Sequence, residues 1–120
     1  MGSVMGLDQH ANSRDSKGEE TEIAYWRKHN ALQGWMESLW SIKTGKSGNE
    51  LNCQELELTI EDLDQLYLRV KNGTLPETQG FFFGIDTSRD EMRKEYDFEF
   101  IAKAKEAIKE GSKVFYTCWW

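Results

Sequence analysis

The chain has 120 residues, of which 38% are apolar and 12% aromatic, and its formal net charge at pH 7 is −6. This length predicts one domain, and the aromatic side chains supply enough apolar surface for a compact core. The negative charge disfavours direct nucleic-acid binding and membrane-surface binding, both of which require a basic face. No apolar run approaches the ~20 residues of a membrane span, and no signal peptide is legible, so we expect a cytoplasmic protein.

The first four residues have the composition of a vector-derived leader, so the domain is expected to comprise residues 5–120. The two cysteines, Cys53 and Cys118, belong to no CxxC motif and to no Cys/His cluster. Their spacing disfavours a structural zinc site and indicates free buried thiols in a reducing compartment. We therefore expect no metal ion and no other cofactor.

Two short strands and one helix are predicted in the first third of the chain. Residues 5–11 predict a weak strand, and residues 12–18 predict a polar loop. Residues 21–26, which are β-branched and aromatic, predict either a second strand or the lead-in to a helix. The first helix is predicted from about Arg27 to Ile42, because helical spacing relates Leu32, Trp35, Met36, Leu39 and Trp40.

The middle of the chain contains the most clearly marked boundary. Residues 51–58 alternate with a break near Gln54, which predicts a strand with a bulge or bend. The helix that follows begins with Thr59 as its cap and Asp62 at its third position. Gly73 ends it, after an apolar stripe of Leu63, Leu66, Tyr67 and Val70.

The last third predicts a strand, a helix and a strand. Residues 81–85 form a short apolar strand, and a helix runs from residue 92 or 97 to residue 110, with Ile101, Ala104 and Ile108 facing inward. Residues 113–120 alternate as a final strand. This order predicts an α+β fold, with a small mixed or antiparallel sheet of about four strands covered on one side by three helices. A parallel doubly wound sheet is the alternative, for which the chain is short.

A polar and aromatic segment at the predicted start of the first helix is the main candidate for a ligand site. Helix N-termini present free N–H groups and attract anions, and Arg27 and Lys28 would add positive charge. We expect this helix end to face the loop of residues 74–80, where Gln79 offers an amide donor and acceptor. The alternative is a solvated helix end. The predicted ligand-binding residues are Tyr25, Trp26, Arg27, Lys28, Asn30 and Gln79.

Other groups carry weaker hypotheses. The terminal aromatic residues Tyr116, Trp119 and Trp120 either stack on a base or pack over the first helix. Asp8, His10 and His29 lack the spacing of a metal or acid–base site. The sequence contains no recognisable nucleophile with an orienting base, and this favours a binding protein over an enzyme.

Three stretches together resemble a family of small phage and prophage proteins of uncharacterised function. They are Met5 to Asp8, Tyr25 to Asn30 and Leu75 to Gly84, and members of that family also end near a tryptophan. The resemblance spans nearly the whole chain. It implies a phage accessory protein that acts in the cytoplasm of the infected bacterium, and it implies no particular reaction.

These observations predict a small module that binds an anionic small molecule such as a nucleotide. The first alternative is a protein-interaction module that inhibits or redirects a host protein through its aromatic surface or through the acidic run of residues 55–64. The second is an enzyme that acts on a phosphate-bearing substrate with Asp8 and Arg27. The sequence does not indicate an oligomeric state.

Overall fold

The computed structural model describes residues 7–73, 75 and 90–120. Within these residues, four strands form one antiparallel sheet in the order β2-β1-β4-β3. The fold is therefore α+β, as predicted, and the antiparallel pairing rules out the parallel alternative for this sheet. The strands are β1 (Asp8–Arg14), β2 (Glu20–Arg27), β3 (Glu55–Leu58) and β4 (Lys113–Trp119), and the helices are α1 (Asn30–Thr44), α2 (Ile60–Asn72) and α3 (Asp90–Lys109).

The sheet has one buried face, which we call the inner face. Successive side chains of a strand point to opposite sides, so each strand contributes alternate residues to it. The ring of Trp26 packs edge-on against Phe100 of α3, with 4.9 Å between ring centroids, so α3 lies on this side. The buried residues of the inner face are Gln9, Ala11, Ala24, Trp26, Leu56, Leu58, Val114, Tyr116 and Cys118.

The start of α1 differs from the prediction. Arg27 is the last residue of β2 and pairs with Asp8 of β1, and α1 begins at Asn30 with His29 as its N-cap. Lys28, between them, has a φ of 59° and donates its backbone N–H to the C=O of Leu7 at 2.9 Å. A left-handed residue reverses the chain direction within one position, so the strand and the helix are almost contiguous.

The predicted boundaries of α2 are confirmed. Thr59 Oγ1 accepts a hydrogen bond from the backbone N–H of Asp62 at 3.1 Å, and the Asp62 carboxylate accepts one from the N–H of Thr59 at 2.9 Å. This capping box satisfies two N–H groups that a helix start leaves without partners. Gly73, with a φ of 67°, ends the helix.

Several other boundaries need correction or cannot be compared. The loop predicted for residues 12–18 is shorter, because β1 continues to Arg14 and pairs with β4 along its whole length. The strand predicted for residues 51–58 comprises Glu55–Leu58, after a 3-10 turn at Gly48–Leu51. In α3, Ile101 and Ala104 are buried as predicted. The predicted leader, the strand at 81–85 and most of the loop at 74–80 lie outside the described residues.

No helix in the described parts of the chain combines the length and the apolar character that crossing a membrane requires.

Candidate functional site

A buried carboxylate joins β2, α1 and α3. Asp97 Oδ1 accepts a hydrogen bond from Trp26 Nε1 at 2.8 Å, and Asp97 Oδ2 lies 2.8 Å from His29 Nε2. His29 Nδ1 accepts from the backbone N–H of Leu32 at 3.4 Å, so the ring proton lies on Nε2, which donates to the carboxylate. Asp97 thus holds the end of β2, through Trp26, and the start of α1, through His29.

Two glutamines and a tyrosine continue this arrangement across the inner face. Gln9 accepts a hydrogen bond from the backbone N–H of His29 at 2.9 Å and donates to Tyr116 Oη, also at 2.9 Å. Tyr116 Oη donates in turn to Gln33 Oε1 at 2.5 Å. Gln33 Nε2 then donates to the Glu37 carboxylate at 2.9 Å. We call Gln9, His29, Gln33, Asp97 and Tyr116 the inner polar network.

The inner polar network has the properties of a structural hydrogen-bond network and not those of a catalytic site. Its side chains are buried, and each hydrogen-bonds another group of the protein, so no reactive atom faces solvent. Burial raises the pKa of the nearby Cys118 thiol to about 12 and that of Tyr116 well above its usual range. Both groups are therefore predominantly protonated at neutral pH, so the thiolate of Cys118 is scarce there. Among the described residues, no three His, Cys, Asp or Glu side chains are grouped to hold a metal ion.

The opposite side of the sheet, which we call the outer face, carries a group of aromatic and charged residues at one corner. Asp8 of β1 pairs with Arg27 of β2 and with Trp119 of β4, and His10 pairs with Tyr25. Directly opposed residues in an antiparallel sheet lie on the same face with β-carbons roughly 4.5–5.5 Å apart. These five side chains therefore share one surface, which we name the aromatic corner.

Within the aromatic corner the aromatic groups remain open to solvent. Trp119 exposes 61% of its surface and Tyr25 exposes 42%. The Tyr25 hydroxyl donates to Asp8 Oδ1 at 2.8 Å, and this hydrogen bond, more than burial, raises the pKa of Tyr25. The Tyr25 and His10 rings contact each other at a centroid distance of 4.9 Å. An exposed indole on the same face of the sheet as an oriented phenol and a cationic residue offers both stacking surface and charge.

At the other end of the outer face, charged side chains form ion pairs with one another. Arg14 donates to Glu20 and to Glu55, at 2.5 Å and 2.6 Å, and its guanidinium carbon lies 4.3 Å from the centroid of the Phe115 ring. The hydrogen bond to Glu20, followed by that to Glu55, raises the pKa of Arg14. The aromatic corner thus carries the two aromatic side chains of the outer face that are exposed among the described residues, Tyr25 and Trp119.

The structure separates the predicted ligand-binding residues into three groups. Tyr25 and Arg27 lie on the outer face, whereas Trp26 and Asn30 are buried behind the sheet. This follows from strand alternation, because Tyr25, Trp26 and Arg27 belong to β2. Lys28 lies in the junction between β2 and α1. Gln79 lies outside the described residues, so its predicted proximity to Arg27 stays a prediction.

Sequence reasoning missed the inner polar network. Gln9, Gln33 and Asp97 are residue types that usually lie at the surface, and Asp97 is 68 positions from its partner His29. One sequence feature marks Asp97: it falls at helical spacing on the same stripe as the buried residues Ile101 and Ala104. A carboxylate on an apolar stripe indicates a buried partner, since burial of an unpaired charge is costly.

No protein-family profile, no curated protein and no solved structure matches this chain. The resemblance to phage and prophage proteins therefore stays a prediction from the sequence, and the function has to be argued from the geometry of the two faces.

Proposed function

We propose that this protein is a small binding module for a planar anionic molecule, such as a nucleotide, and that the ligand binds on the aromatic corner. The observation that carries the proposal is the exposure of Trp119, 61%, on the same row of the sheet as Arg27 and Asp8. A large aromatic residue is normally among the most buried of side chains, and an exposed one on a rigid strand is typical of a recognition surface.

The chemistry of the corner suits both parts of a nucleotide. Stacking of a base on the Trp119 indole contributes roughly 1–3 kcal/mol, and a charge-assisted hydrogen bond from the Arg27 guanidinium contributes about 1.5–3 kcal/mol. The Asp8 carboxylate, already an acceptor for Tyr25, can also accept from an exocyclic amino group. The overall negative charge of the protein disfavours a long polyanion and leaves a small ligand as the better fit.

Isothermal titration calorimetry with a nucleoside monophosphate, the matching nucleoside and ribose 5-phosphate tests the proposal. The nucleotide is expected to bind more tightly than either part alone. Trp119→Ala and Arg27→Ala should each weaken nucleotide binding about tenfold or more, since 1.4 kcal/mol corresponds to a factor of ten.

Matched controls come from α2. Tyr67→Ala removes an aromatic residue that is 40% exposed, and Arg69→Ala removes an arginine, both away from the sheet. Neither change should alter the affinity. The proposal is wrong if no nucleotide binds, or if the α2 variants weaken binding as much as the two variants in the aromatic corner.

The exposed acidic side chains at β3 and the start of α2 favour a second candidate, a module that binds a basic region of a host protein. Glu57 and Glu61 are exposed, and Glu55 lies beside them while accepting from Arg14. Charge reversal at Glu57 and Glu61, with affinity purification from bacterial lysate, separates the two candidates: it should abolish capture of a host protein and leave nucleotide binding unchanged. On the support of the sequence resemblance, we propose the cytoplasm of a phage-infected bacterium as the setting for either activity.

A further inference from the structure

The turn before β3 packs against the end of β4, and each element carries one cysteine at the contact. The backbone N–H of Cys53 donates to the C=O of Cys118 at 2.8 Å. The Cys118 thiol lies 3.7 Å from the C=O of Leu51, and the N–H of Trp120 donates to the Asn52 side chain at 3.1 Å. Three consecutive residues of the turn, 51 to 53, therefore contact Cys118 or Trp120.

The two thiols differ in their exposure to solvent. Cys118 is buried, with its sulfur 3.4 Å from Gln33 Nε2, and Cys53 is exposed to solvent. The prediction that both thiols are buried is therefore wrong for Cys53. Disulfides join residues whose α-carbons are about 4.4–6.8 Å apart, and the direct backbone hydrogen bond between Cys53 and Cys118 holds their main chains side by side. Cys53 has a φ of 66°, a left-handed conformation that is sparsely populated by residues other than glycine, so the backbone is strained at this residue.

We propose that Cys53 and Cys118 form an intramolecular disulfide under oxidising conditions, which makes the contact between the turn and β4 a reversible covalent link. A low-molecular-weight disulfide such as glutathione disulfide is the oxidant. The Cys53 thiolate attacks one of its sulfurs, forms a mixed disulfide and releases one glutathione thiolate. The Cys118 thiolate then attacks the Cys53 sulfur and releases the second glutathione. Two protein thiols are oxidised, and one glutathione disulfide is reduced to two glutathione molecules.

The link connects an exposed residue to the inner polar network. When the Cys118 sulfur bonds to Cys53, it leaves Gln33 Nε2, which keeps the Glu37 carboxylate as its partner. The second step is slow at neutral pH, because burial raises the pKa of Cys118 to about 12 and the thiolate is the attacking form. Closure of the mixed disulfide is therefore expected to accelerate roughly tenfold per unit of pH between neutral and mildly alkaline solution.

The experiment incubates the full chain with glutathione disulfide and follows the intact mass and the peptide map. The expected product is a monomer that has lost two hydrogen atoms and contains a peptide pair joined through Cys53 and Cys118. Treatment with dithiothreitol should restore the original mass. A mixed disulfide at Cys53 should appear first and disappear faster as the pH is raised.

Two variants distinguish closure from simple modification of an exposed thiol. Cys118→Ser should stop at the glutathione adduct on Cys53, and Cys53→Ser should take up no glutathione in the folded state. The proposal is overturned if the parent protein retains the Cys53 adduct at mildly alkaline pH, if dimers linked through Cys53 are the sole disulfide product, or if neither thiol reacts. These outcomes do not depend on nucleotide binding at the aromatic corner.

Discussion

Two histidine–carboxylate pairs, one on each side of the sheet, have nearly the same geometry and very different surroundings. His29 Nε2 lies 2.8 Å from Asp97 Oδ2, and the two side chains are 6% and 3% exposed. His10 Nδ1 lies 2.7 Å from Glu22 Oε2, and these side chains are 42% and 52% exposed. The comparison shows that the distance between two groups does not indicate what their contact contributes, because burial decides whether water can replace a lost partner.

The same contrast separates the functions of the two faces. On the inner face each polar group depends on another protein group, so the inner polar network specifies how β1, β4, α1 and α3 fit together. On the outer face water can take the place of any partner, so residues there can exchange contacts with a ligand without destabilising the fold. This is why we propose that binding takes place on the outer face, whereas the inner face holds the elements of the fold together.

The largest expected effect follows from breaking the buried pair. Asp97→Ala leaves the N–H groups of Trp26 and His29 without their acceptor, and should lower the free energy of unfolding by about 2–5 kcal/mol, because each buried unsatisfied donor costs roughly 1–3 kcal/mol. Glu22→Ala, which breaks the exposed pair, should change it by roughly 0–1 kcal/mol. Urea denaturation followed by circular dichroism measures both. Should Asp97→Ala fail to fold, Asp97→Asn, which retains one acceptor oxygen, is expected to fold with an intermediate loss. Equal effects of the Asp97 and Glu22 variants would contradict the comparison.

A smaller effect is expected from removing one hydroxyl on each face. Tyr116→Phe removes the donor to Gln33 and an acceptor for Gln9, so the free energy of unfolding should fall by about 1–3 kcal/mol. Tyr25→Phe removes the hydrogen bond to Asp8 on the outer face, where water replaces it, and should change stability by no more than about 0.5 kcal/mol. The same denaturation assay compares the two, and a larger loss for Tyr25→Phe would reverse our assignment of the faces.

The smallest expected effect concerns pH. Burial raises the pKa of Glu37 above its ordinary value of 4.5, although the hydrogen bond from Gln33 lowers it. A carboxyl group with a raised pKa in the folded state binds more protons there than in the unfolded state, so its contribution to stability falls as the pH rises through 4.5 and above. The Glu37→Gln variant lacks this titrating group. Its free energy of unfolding, relative to that of the parent protein, should therefore increase as the pH rises over that range. A relative stability that decreases instead would show that the carboxylate is favoured in the folded protein.

The elements that local chemistry specifies were predictable. Thr59 and Asp62 marked the start of α2 because a capping box involves four consecutive residues, and the alternation in residues 113–120 marked β4. The start of α1 was not predictable to the residue, since it depends on the left-handed backbone of Lys28, and lysine has no local preference for it.

The candidate sites depended on contacts that are distant in sequence. The chemistry of Tyr25 and Arg27 indicates a binding site and both residues lie on the outer face, but strand alternation places Trp26 behind it. The pairing of Asp8 with Trp119 across the sheet joins residues near the two ends of the described chain, which no local pattern indicates. Likewise, a histidine that caps a helix looks the same in sequence as a solvated one until Asp97 is placed beside it.

The single-residue junction at Lys28 has a consequence for how this chain can vary. The indole of Trp26 and the imidazole of His29 lie on either side of that junction, and both bond to the same carboxylate. An insertion or deletion between positions 26 and 29 would move one of the two rings out of hydrogen-bonding distance of the Asp97 carboxylate. The interval Trp-x-x-His is therefore expected to be invariant in length among proteins that share this fold, even where the two intervening residues differ.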